Sequence, residues 1–93
     1  MATTIETISP TVESIIRLTI AEVMAGVPIE NITIEAELDH TDDEAIAVEI
    51  YHPLLEKDFA PQLETDLLRT VHRRLIDAGE HRFPYITHHH VDP

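Results

Sequence analysis

The chain predicts a small α+β fold of order αββαβ: a two-layer sandwich with a three-stranded mixed sheet and two helices on one face. Three patterns predict it. Apolar residues recur at helical spacing through residues 12–23 and again through 63–75, two runs at 32–38 and 45–51 alternate with period two, and an apolar stretch from Phe83 to about Val91 closes the chain.

Ser9-Pro10 marks the first helix start, with Ser9 as N-cap and Pro10 at the first helical position, where its missing N–H costs nothing. Val12, Ile15, Ile16, Ile20 and Val23 form one stripe, and Glu13, Arg17 and Glu22 fall on other faces. Gly26 and Pro28 then stop the helix near Ala25. In the first strand Ile32, Ile34, Ala36 and Leu38 share a side, opposite Thr33, Glu35, Glu37 and Asp39. In the second, Ile46, Val48 and Ile50 alternate with Ala45, Ala47, Glu49 and Tyr51. The polar segment His40 to Glu44 makes the turn of an antiparallel hairpin.

After a loop, Asp58 and Pro61 open a second helix with the stripe Leu63, Leu67, Leu68, Val71 and Leu75, which Gly79 closes. In the last strand Phe83, Tyr85 and Val91 share one parity and Ile86, His88 and His90 the other. Alternation alone leaves its inward face open.

Ninety-three residues suffice for one domain, 1–93, with residues 1–8 expected as a flexible arm and dimerisation a natural supplement to a modest core. Absence of cysteine removes disulfides, thiolate metal sites and thiol catalysis. The beginning of the chain has neither the basic region nor the apolar run of a signal peptide, and residues 15–27 are too short and polar to span a bilayer. A cytoplasmic protein without membrane insertion is the expectation. A formal charge of −12 argues against nucleic acid as a partner, since neutralising phosphates needs clustered Lys and Arg. Residues 1–66 hold 15 acids and 2 bases; residues 67–93 hold 3 acids, 4 bases and five of the seven histidines.

The ending His88-His89-His90-Val91-Asp92-Pro93 is the chief functional clue. Imidazole and carboxylate both ligate metals, and strand residues two apart project from one face, making His88/His90 and His90/Asp92 chelating pairs. A right-handed crossover through the second helix makes the second and third strands parallel and brings their carboxyl ends to one edge. His52, closing the second strand, thus becomes a predicted neighbour of His88 to Asp92. His40, roughly 25 Å away at the hairpin turn, cannot join them. Nitrogen and oxygen donors without sulfur suit Zn²⁺ and also admit Mn²⁺, Co²⁺, Ni²⁺ or Fe²⁺.

Other clusters carry less. The turn Asp39 to Glu44 is rich in oxygen donors but lacks the glycine and donor spacing of an EF-hand. Arg69, His72, Arg73, Arg74 and Arg82 can meet an anion or pair with helix neighbours such as Thr65, Asp66 and Asp77. The two serines lie at the first helix with no histidine nearby in sequence, and both glycines serve helix ends. With only Glu35, Glu37 and Glu49 left as an acid–base set, a non-enzymatic domain is expected.

The αββαβ order and the ending His90-Val91-Asp92-Pro93, preceded by Arg82-Phe83-Pro84 and with His52 closing the second strand, resemble the cytoplasmic C-terminal domain of cation diffusion facilitator transporters. The likeness spans about Pro10 to Pro93. It implies a ferredoxin-like, metallochaperone-like fold, a homodimer, and zinc-type metal binding of a regulatory or sensing kind, with ligand roles for His52, His90 and Asp92 and His88 as a further donor. The chain departs from that family where the second helix usually carries a histidine, replaced here near Glu64, and just before the first strand, where an expected ligand falls near Asn31; without the transmembrane half in this sequence, the likeness implies a free-standing relative or an excised domain. A KH domain shares related element order, but its Gly-x-x-Gly loop and basic surface are missing here. The alternative is a metal-free assembly module whose open face, with Ala45, Ala47 and Tyr51 among glutamates, meets a protein partner.

Overall fold

The computed structural model describes residues 6–53 and 61–92, arranged as α1 (Pro10–Val23), β1 (Asn31–Leu38), β2 (Glu44–His52), α2 (Pro61–Asp77) and β3 (Phe83–His90). The expected α+β architecture is present: two helices and an open mixed sheet of order β1-β2-β3. Asp58, expected in the opening of α2, lies outside the described residues.

Local chemistry sets the element ends. The Ser9 hydroxyl accepts the Val12 N–H at 3.2 Å, satisfying an orphan donor of the first turn. α1 ends at Val23, two residues before the expected stop, because Met24 caps it and its N–H donates to the Ile20 carbonyl at 2.9 Å. α2 ends in a Schellman turn, in which the Glu80 N–H donates to Leu75 and the Gly79 N–H to Ile76. Gly79 accordingly takes a φ of +87°, which a side chain disfavours. In the hairpin turn one Asp39 oxygen accepts from the Thr41 N–H and hydroxyl and from the Asp43 N–H. These bonds hold the Asp39 carboxyl down at about 2, and Tyr85 Oη donates to its other oxygen at 3.2 Å.

β1 and β2 are antiparallel, with Ile32 opposite Ile50; β2 and β3 are parallel, with His52 opposite His90. The central strand directs Ile46, Val48 and Ile50 into a core completed by Val12, Ile16, Ile20 and Met24 of α1 and Leu67, Val71 and Leu75 of α2. Burying each large aliphatic side chain contributes about 1.5–3 kcal/mol. Thr19, the buried hydroxyl of α1, donates to the Ile15 carbonyl and accepts from Arg74.

Packing decides the open question of β3. Pro84 is buried and Ile86 and His88 are half-buried toward the helices, whereas Phe83, Tyr85 and Thr87 are exposed on the other face. At the start of β3, Arg82 donates to the carbonyls of Glu6 and Thr7 and pairs with Glu80 at 2.7 Å, tying the segment before α1 to the sheet. Among the described residues no helix is long and apolar enough to cross a membrane.

Candidate metal centre

The parallel pairing of β2 and β3 continues past the last strand residues, because the Val91 N–H donates to the His52 carbonyl at 2.9 Å. His52 and the β3 histidines therefore stand side by side at one sheet edge. Strand alternation puts His52, His88 and His90 on the helix side and His89 on the open side.

His52 is the most buried polar group of this end, only 1% exposed at the close of β2. Its Nε2 lies 3.1 Å from Nδ1 of His88, the rings tilted by 58°, and whichever ring carries the proton donates. The partner in register is His90, but the ring leans along the sheet to the diagonal neighbour. Burial pushes the His88 imidazole below its ordinary 6.5, opposed by the negative charge of Glu64 and reinforced by His52 and His89. Neutral imidazole is the state that offers a lone pair.

His90 and Asp92 form a separate pair. His90 Nε2 lies 3.3 Å from Asp92 Oδ1, and the carboxylate is almost fully exposed. The four predicted ligands thus divide into His52/His88 and His90/Asp92. Among the described residues no group of three or more His, Asp or Glu side chains is gathered for an ion. His40 remains at the hairpin turn, at the opposite end of β2, as its position in the sequence required.

The open face holds an arrangement that the sequence reading did not assemble. His89 stacks on Tyr51 with ring centroids 4.7 Å apart, and its Nε2 meets Glu49 Oε1 at 3.0 Å. The other Glu49 oxygen accepts from the Thr33 hydroxyl at 3.1 Å. One strand-parity signal was available, since Glu49, Tyr51 and His89 all oppose the core-facing residues, but only the register Tyr51–His89 places the rings together. These contacts also occupy Glu49, one of three carboxylates considered for acid–base chemistry.

Two arginines of the cluster have structural roles. Arg74 pairs with Glu22 of α1 at 2.8 Å, and Arg82 is engaged by Glu80 and the segment before α1. His72 packs edge-on against Phe83 with ring centroids 5.0 Å apart. Compared with protein-family models, curated proteins and solved structures, the chain has no match, so the reading of this centre rests on its own geometry.

Proposed function

We propose that this is a non-enzymatic, cytoplasmic, dimeric domain that binds a divalent transition metal of zinc type, in a regulatory or sensing role, with His52 and His88 as its first two ligands. The single observation that carries the reading is their 3.1 Å nitrogen separation at the shared carboxyl edge of β2 and β3. Tetrahedral zinc with bonds of about 2.0–2.1 Å holds its donor atoms about 3.3 Å apart, close to this spacing, and both rings turn to aim their lone pairs at the ion, which replaces the hydrogen bond between them. His90 and Asp92, two and four residues after His88, supply the further donors after rotation of exposed side chains. The metal fixes imidazoles from two strands, which couples binding to the geometry of this edge and makes affinity fall as acid protonates the ligands.

Calorimetric titration with zinc tests this. His52→Ala and His88→Ala are each expected to weaken binding at least tenfold, and His90→Ala less. Equal weak binding by wild type and both variants defeats the metal reading. The rival reading, a metal-free assembly module using the acidic open face, is favoured by the exposure of Phe83 and Tyr85 on that face. It predicts an assembly state indifferent to chelator, measurable by sedimentation with and without EDTA.

A further inference from the structure

The arginines of the two helices and of the start of β3 are of two kinds. Arg17 pairs with Glu13, Arg74 with Glu22 and Arg82 with Glu80, so each is held within its own fold. Arg69 and Arg73 form no ion pair among the described residues. One turn apart on α2 and exposed, they line an open groove of about 350 Å³ together with His72, Ile76 and Asp77.

Exposed apolar surface is concentrated beside that groove. Four large hydrophobic residues are exposed in the described chain, and only Leu18, on α1, stands outside this region. The other three are Ile76 in the groove and Phe83 and Tyr85 next to it, 48%, 37% and 38% exposed. His72 meets Phe83 edge-on and Phe83 meets Tyr85 in the same way, with 5.0 Å between centroids at each step. Tyr85 Oη then donates to Asp39 at the hairpin turn, where Asp42, Asp43 and Glu44 are exposed. A continuous band therefore runs from two unpaired arginines, across apolar side chains, to a cluster of carboxylates. β3 enters it only through the side chains of Phe83 and Tyr85.

Such a band is complementary to itself. A twofold axis through its apolar middle sets Phe83 and Tyr85 against the same rings of a second copy and lays the arginine end of each band on the acidic end of the other. The open sheet face lacks this property. It carries Glu35, Glu37 and Glu49, and the three strands contain no Lys or Arg, so a copy stacked there meets like charge.

We propose that this band is the interface of a homodimer in which the hairpin turn of each copy enters the α2 groove of the other, with Arg69 and Arg73 meeting Asp43 and Glu44 across the axis. The apolar middle supplies contact area, and the two reciprocal charge contacts fix the orientation. The inference rests on the dimeric part of the proposed function and is independent of the metal.

Light scattering after gel filtration, with the whole chain at micromolar concentration, tests it. Wild type is expected at twice the 10.5 kDa chain mass, with or without EDTA. Arg69→Glu/Arg73→Glu makes the groove acidic, and Asp43→Lys/Glu44→Lys makes the turn basic while leaving the bonds to Asp39 Oδ1 in place. Each double variant is expected at the monomer mass. Mixed one to one they are expected to return to the dimer mass, because both contacts of the mixed pair then join opposite charges. Amide NMR during dilution of the wild type is a readout free of variants, and it decides alone where a variant does not fold. Shifts are expected at residues 69–76 and 40–44 and not at Glu35 or Glu37. A monomeric wild type defeats the dimer itself and with it that part of the proposed function. A dimer lost to EDTA, one that persists in either folded variant, folded variants that mixing does not join, or dilution shifts elsewhere overturn this interface. A ladder of larger masses, as an unclosed head-to-tail contact gives, overturns its twofold symmetry. Loss of zinc binding with the dimer intact defeats only the metal reading.

Discussion

His88 and His89 are adjacent and chemically identical, yet they belong to different regions of the molecule. His88 faces the helices, half-buried and bonded to the fully buried His52. His89 faces the open side, stacked on Tyr51 and bonded to Glu49, with its side chain 37% exposed. The difference teaches that in a strand one residue of displacement exchanges a low-dielectric environment for a solvated one. At the helix-facing site burial favours the neutral ligand-ready ring; at the open site water screens the contact between His89 and Glu49.

The largest expected contrast between these regions is in stability. His52→Ala removes a buried ring and its hydrogen bond and is expected to cost about 2–4 kcal/mol in urea unfolding. His89→Ala, which removes a screened pair and a surface stack, is expected to cost about 0.5–1 kcal/mol. Equal costs at the two sites break the comparison.

A second contrast is in pH dependence. Because the folded state holds the His88 pKa below its ordinary value, the unfolded chain binds more protons near neutrality. The contribution is complete above about pH 7 and is lost as the pH falls through 6.5 and below. His88→Gln is therefore expected to flatten the stability profile between about pH 7 and 5, and an unchanged slope argues against the desolvated site.

The smallest effect concerns the far end of the sheet. The Asp39 carboxyl is depressed to about 2 by the Thr41 bonds, so its contribution persists above about pH 4 and disappears as the pH falls toward 2. Asp39→Asn is expected to reduce the acid-unfolding slope in that window alone, leaving the profile around neutrality to His88. Circular dichroism during acid titration separates the two windows.

Most of the fold was legible because its signals are local. Ser9 and Pro10 start α1, Gly79 ends α2, and the alternation through residues 32–38 and 45–51 marks which side of each strand is apolar. The neighbourhood of His52 and the final histidines was also legible, through the handedness of the crossover. Their pairing was not. Parity made His88 and His90 equal candidates for His52, and register alone favours His90, whereas the ring contact falls on His88.

By itself the sequence determined the αββαβ order, the helix stripes, the hairpin and the placing of His52 and the chain ending at one edge, since periodicity, caps and chain handedness are properties of neighbouring residues. Only the tertiary structure decided which face of β3 is inward and which imidazoles touch. Those depend on how α2 packs and on side-chain lean across strands, and residues 36 apart in the chain meet at 3.1 Å only after both are fixed.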